Sequence, residues 1–269
     1  MSATATAAAA VQRPFRGSHL VIHEVGEGPE VGYLHGMCGN PSGFAFLDAL
    51  ASAGAGRRVL APGLPGFSGS PAHIDMRTLF DWVVATSEAI DLAGAAGRPF
   101  VASSVGAMLA LEVAAVRPEA FERLVLISPL GLFDMDDPVA DAFGTTLSNQ
   151  RLMLTADRGA TDPFFKDGPL SSPAQLIEDG IARYEARTAA MGLLWPIPEF
   201  GLDSRIHRVS CPVTLIWGSQ DAINPVSYLA RYQSRLANVT ATHVVEGAGH
   251  LAEWDQPDAI AALVDRALS

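Results

Sequence analysis

The feature that most constrains this chain is a rhythm. Short β-branched apolar runs, among them "RRVLAP" (57–62), "RPFVAS" (98–103), "RLVLIS" (123–128) and "CPVTLIWG" (211–218), alternate with longer Ala- and Leu-rich segments. Runs of that kind read as buried strands, and the longer segments have the length of crossover helices, so the expected class is α/β with a largely parallel sheet. "SHLVIHEV" (18–25), "VGYLHG" (31–36) and "ATHVVEG" (241–247) complete the strands. Helices are expected over 42–54 with Ser42 as N-cap, over 76–93, from about Val105 to Val116 ahead of Pro118, over 225–237, and from Pro257 to Leu268. "GLPGFSGSP" (63–71) is too rich in Gly and Pro for either element and is read as a loop. With 269 residues, 49% of them hydrophobic, there is material for one substantial core.

The rhythm breaks once. From Pro129 to about Arg208 six further prolines separate helical pieces such as "SPAQLIEDGIARYEARTAAMGLL". This stretch is expected to be a helical insertion (129–208) in a core made of 18–128 and 209–269. The opening "MSATATAAAAVQRPFRG" (1–17) is read as a flexible arm, because Arg13 and Arg16 follow its Ala run whereas a secretory signal carries them ahead of it. No run of about 18 apolar residues suggests a membrane span. A net charge of −11 disfavours nucleic acid and anionic lipid surfaces as partners. Two cysteines, Cys38 and Cys211, make neither a disulfide framework nor a cysteine metal site, and a reducing cytoplasm is the expected setting.

Chemistry centres on "VASSVGAML" (101–109), where a strand meets a helix. A serine at such a turn has a strained backbone and projects from the carboxyl edge of the sheet. The residues two before and two after it crowd together and must be small. For Ser104 these are Ala102 and Gly106; for Ser103 they would be Val101 and Val105. Ser104 is therefore the candidate nucleophile, although the pair could also serve as helix-capping serines.

A serine hydroxyl needs a base, and the base needs an orienting acid. "LIWGSQDAINP" places Asp221 just beyond one strand and "VVEGAGHLAEW" places His250 just beyond the next. Parallel strands share a carboxyl edge, so the three can meet despite their separation in sequence. Together "YLHGMCGN", "PGLPGFSGS", "ASSVGAML", "LIWGSQDAINP" and "GAGHLAEWDQPDAI" resemble, in order and spacing, the α/β-hydrolase superfamily in its serine-nucleophile branch. The likeness covers about residues 18 to 268. It implies a mostly parallel eight-stranded sheet flanked by helices, with a helical cap inserted after the sixth strand.

The resemblance also implies an oxyanion hole made by the backbone N–H groups of Val105 and Met37. His35 is expected to fix that loop, Cys38 to be a small buried thiol, and Asp221 to be preferred as the acid over Asp134, Asp136 and Asp137. Glu246, Glu253 and Asp255 are read as surface charges beside the histidine loop. His35, Cys38, Ser103, Arg183, Trp195, Leu251 and Trp254 are the candidate substrate-binding residues, with Arg183 not distinguishable from Arg187. Apolar cap and loop residues, including Phe44, Leu130, Phe133, Met153, Met191, Ile197 and Phe200, suggest a small hydrophobic substrate.

The leading expectation is hydrolysis of a hydrophobic carboxylic ester or lactone through an acyl-enzyme, by a monomer or homodimer without metal or organic cofactor. The alternatives are a carbon–carbon hydrolase of a vinylogous diketone, in which a cap arginine would hold a carboxylate, a hydrolase-like ligand receptor, and a cofactor-independent dioxygenase. A serine where relatives with alkyl-enzyme chemistry use a carboxylate argues against dehalogenases and epoxide hydrolases.

Overall fold

The apolar runs assemble into one sheet of eight strands, ordered β1-β2-β4-β3-β5-β6-β7-β8 in the computed structural model, which describes residues 9–41, 44–73, 75–156, 173–196 and 199–269. The strands are β1 (Ala9–Phe15), β2 (Ser18–Val25), β3 (Glu30–Leu34), β4 (Arg58–Pro62), β5 (Arg98–Ser103), β6 (Phe121–Ile127), β7 (Val213–Gly218) and β8 (Val239–Val245). The β1–β2 and β2–β4 pairs are antiparallel, and every other neighbouring pair is parallel. Strands β5 and β7 are buried almost throughout, as strands covered on both faces must be.

Residues 9–15 correct the expectation of a flexible arm. They pair with β2 over their whole length, from Ala9 opposite Glu24 to Phe15 opposite Ser18. The two-residue connection, Arg16 and Gly17, has positive φ at both positions (45° and 77°), as the tight hairpin turn that matches strand twist requires. Arginine is a poor marker of that turn, so the hairpin was hidden in the sequence. Phe15, 6% exposed, anchors the new edge in the core.

Helices α1 (Ala45–Ser52), α7 (Ala252–Asp255) and α8 (Pro257–Leu268) cover one face of the sheet; α2 (Leu79–Leu92), α3 (Ser104–Val116) and α6 (Ser227–Arg235) cover the other. Ser42 lies outside the described residues. Helix α2 starts at Leu79, later than expected, because Thr78 and Asp81 form a reciprocal capping box. Between β6 and β7 come α4 (Leu147–Leu154) and α5 (Pro173–Leu194), with no strand among the described residues of that stretch.

Chain direction positions the site. From β3 the chain crosses to β4 on one side and then returns to β5 on the other, so the strand order reverses at β3. Open α/β sheets have their crevice at the carboxyl ends of strands beside such a switch point. The ends of β3, β5, β7 and β8 there carry His35, Ser104, Asp221 and His250 respectively.

Candidate active site

Ser104 is the first residue of α3 and has φ +52°, a left-handed conformation that is strained for a residue with a side chain. Its small flanks have a visible reason. A Cβ on Gly106 would lie 2.3 Å from the His35 carbonyl oxygen and 2.8 Å from that of Leu34, so the helix start presses directly on the end of β3. Ser104 Oγ lies 2.7 Å from His250 Nε2. His250 Nδ1 lies 2.9 Å from Asp221 Oδ2 and 3.1 Å from Oδ1. The His250 and Asp221 side chains are wholly buried, and so is Ser104.

Each partner is fixed by its own loop. Asp221 Oδ1 accepts the N–H groups of Ile223 (2.9 Å) and Asn224 (2.8 Å), which orients the carboxylate toward the imidazole. The Asn224 amide then donates to the Pro129 carbonyl at 2.6 Å, tying this loop to the end of β6. The His250 loop packs on Gly218 so closely that a Cβ there would meet the Gly249 oxygen at 2.1 Å. Asp255 accepts from Gly249 N–H (2.7 Å) and Ala156 N–H (2.9 Å), joining the histidine loop to the segment after α4. With Nδ1–H donated to the carboxylate, Nε2 is left as the acceptor for the serine proton, the arrangement a general base needs.

The profile of the Alpha/beta hydrolase family matches residues 33–263, spanning all of these elements. The chain belongs to that family. A 2-hydroxymuconate semialdehyde hydrolase of Pseudomonas putida is 27% identical over 272 residues, covering 94% of this chain and 92% of that one. An esterase of Mycobacterium tuberculosis is 24% identical, covering 94% and 87%. Among solved structures, a meta-cleavage product hydrolase from Pseudomonas fluorescens superposes with a TM-score of 0.70 at 23% identity, covering 93% of this chain and 94% of its own.

The loop after β3 in this α/β hydrolase is held from below. His35 Nδ1 lies 2.8 Å from the Gly36 carbonyl, and Nε2 lies 3.1 Å from the donating Leu64 N–H. Burial pushes the imidazole pKa down to about 4, so the ring is neutral and can donate through Nδ1 while accepting through Nε2. Both nitrogens are therefore occupied in the scaffold, and His35 is not placed to bind substrate. The turn after it is closed by Gly39 N–H to Gly36 O at 3.2 Å, which leaves the Met37 N–H at an unconsumed turn position. Val105 N–H is among the first four of α3 and has no intrahelical acceptor. Ser68, with φ +53°, supports the same loop by accepting from Asn40 N–H, a role the Gly/Pro-rich loop did not advertise.

The remaining sequence candidates fall into different places. Cys38 is buried. Leu251 is fully buried, with its N–H donated to the Leu154 carbonyl at 2.8 Å. Trp254 stacks on Phe44 at 4.5 Å, within the packing between α1 and α8. Trp195 is 49% exposed, with its side chain beside Asp141. Arg187 donates to Gln150 (2.6 Å) and to the Phe143 carbonyl (2.5 Å), so it stitches α5 to the segment around α4. Arg183 is half-buried on α5. Asp134 pairs with Arg231 and Asp137 accepts from Ser227, which removes both from the histidine.

A narrow apolar cavity of about 30 Å³ lies beside Met37 and Leu130. Met37, Leu130, Phe133, Phe143, Leu194 and Phe200 contribute to its lining, which contains no charged side chain. The Leu130 N–H bonds the Ser104 carbonyl at 3.2 Å. Met191 is instead 37% exposed, and Ile197 lies outside the described residues. Glu253, read from sequence as a surface charge, is fully buried.

Proposed function

We propose that this protein is a serine hydrolase that cleaves a hydrophobic carboxylic ester or lactone through an acyl-enzyme on Ser104, with residues 129–208 as a cap over a core of 9–128 and 209–269. The observation that carries the reading is the unbroken Ser104–His250–Asp221 hydrogen-bond chain of 2.7 and 2.9 Å, drawn from three separate strand ends. His250 Nε2 takes the Ser104 proton as Oγ attacks the ester carbonyl. Asp221 stabilises the imidazolium that forms. The Val105 and Met37 N–H groups receive the developing oxyanion, each worth on the order of 10²-fold in rate. The imidazolium then protonates the leaving alcohol, and the neutral ring activates water to release the acid. The apolar lining beside Leu130 favours a hydrophobic over a charged acyl group.

The similarity to a 2-hydroxymuconate semialdehyde hydrolase favours a second reading, hydrolysis of a carbon–carbon bond in a vinylogous diketone. Such a substrate carries a carboxylate, and the uncharged cavity lining speaks for the ester. A fluorophosphonate is expected to label the peptide containing Ser104, and Ser104→Ala to lower ester turnover by about 10³-fold or more, with a smaller loss for Ser103→Ala. Labelling at Ser103, or none on folded protein, overturns the nucleophile assignment. In a panel of apolar esters, lactones and a vinylogous diketone acid, preference for the last replaces the first reading with the second.

A further inference from the structure

Glu253 is a carboxyl in an unusual place. It sits on α7, three residues after His250, and is 0% exposed. The Tyr33 hydroxyl of β3 lies 3.5 Å from its Oε1, and Ser103, the last residue of β5, is within interaction range of the same carboxyl. Ser103 Oγ also lies 3.3 Å from the place a Cβ on Gly36 would occupy, with Ser104 Cβ 3.2 Å from that point. The cluster therefore abuts both the nucleophile turn and the oxyanion loop. Neither Glu253 Oε2 nor Ser103 Oγ completes a hydrogen bond of normal geometry, although both are buried.

A buried carboxyl of this kind is stable only when neutral or well paired. Burial pushes the Glu253 pKa up to about 7, against smaller opposing effects from Ser103 and His250. The charged or titratable groups around it are His250 and Asp255 on its own segment and Tyr33 from β3, with Cys38 next to Tyr33. Burial holds the Tyr33 phenol well above its ordinary range, so it stays protonated. Among these neighbours, the imidazole is the group whose charge would respond to ionisation of Glu253.

We propose that Glu253 is a positioning residue for His250: set between Tyr33 and Ser103, its carboxyl anchors the histidine loop to β3 and β5 and makes protonation of the imidazole depend on a second, buried proton. The proposal rests on His250 being the catalytic base. A neutral Glu253 leaves the imidazole free to accept the serine proton. An ionised Glu253 favours the imidazolium, which cannot act as a base. The short α7 transmits position as well as charge, because the Glu253 side chain cannot leave its slot without moving the residues just before it.

The test follows the His250 ring by nitrogen-resolved NMR across pH 5 to 9, together with ester kinetics, in the wild type and in Glu253→Gln, which keeps a donor and an acceptor but cannot ionise. The wild type is expected to respond to pH in two steps and the Gln variant in one. Glu253→Leu is expected to lower kcat about tenfold at little change in KM, with Gln restoring much of that loss. One unshifted inflection in both wild type and Gln variant overturns the proposal, even if the Leu variant fails to fold. Two inflections in a wild type that turns over no ester and takes no fluorophosphonate support the coupling while overturning the hydrolase reading.

Discussion

At the scale of single residues, two buried titratable side chains near the candidate site pull stability in opposite directions with pH. His35 has a folded-state pKa of about 4 against 6.5 when free, so the unfolded chain binds more protons between those values. Its contribution is present above pH 6.5 and is lost as pH falls toward 4, about 3 kcal/mol in all. Glu253 has a folded value of about 7 against 4.5, so here the folded chain binds the extra proton. It lowers stability progressively as pH rises from 4.5 to 7, by a comparable amount. The two effects offset each other in the wild type between about pH 4.5 and 6.5. Urea denaturation across that window should therefore show His35→Gln losing stability with rising pH relative to wild type, and Glu253→Gln gaining it. Parallel curves for all three would mean that neither ring nor carboxyl is buried in the form described. Glu253 was misread from sequence because three of the six residues in "LAEWDQ" are polar and such a charged stretch beside a loop reads as solvent-facing, while nothing local announces a four-residue helix turned into the core.

At the scale of elements, the turn between β5 and α3 does most to assemble the site. Ala102 and Gly106 marked Ser104 in the sequence, and the geometry supplies the reason: at Gly106 a methyl group would overlap backbone oxygen, which cannot rotate away as a side chain can. Gly106→Ala should destabilise the protein by about 2 kcal/mol or more and disturb the loop after β3 through His35. Thermal unfolding checks the first effect and the rate of fluorophosphonate labelling the second; an unchanged midpoint would show that α3 can slide to make room. The histidine loop was only half legible. His250 itself stood out, but the Asp255 carboxylate that bonds Gly249 and Ala156 joins residues 99 positions apart, and such a bond has no sequence period. The β1–β2 hairpin was missed for a related reason, since its turn uses Arg16 where Asn or Asp would have signalled it.

Across the whole molecule, the segment returning from the insertion to β7 is clamped to the core by one buried ion pair. Arg205 binds Glu112 of α3 with two hydrogen bonds of 2.5 and 2.6 Å and also caps the carbonyls of Phe200 and Gly201. The Glu112 side chain is only 3% exposed, so removing the guanidinium strands a buried carboxylate. Arg205→Met should cost about 3 to 5 kcal/mol in chemical denaturation, and Glu112→Gln with Arg205→Met together should recover part of it. Equal losses in the single and double variants would show that the clamp acts through shape and not through charge. Sequence by itself determined the alternation of strands and helices, the place where that alternation breaks, and which serine, histidine and aspartate stand at strand ends, because period and turn chemistry are local properties of the chain. Only the tertiary structure decided that residues 9–15 close the sheet edge, that Arg187 is scaffold, and that Glu253 points inward, because burial and pairing depend on which distant segments a side chain meets.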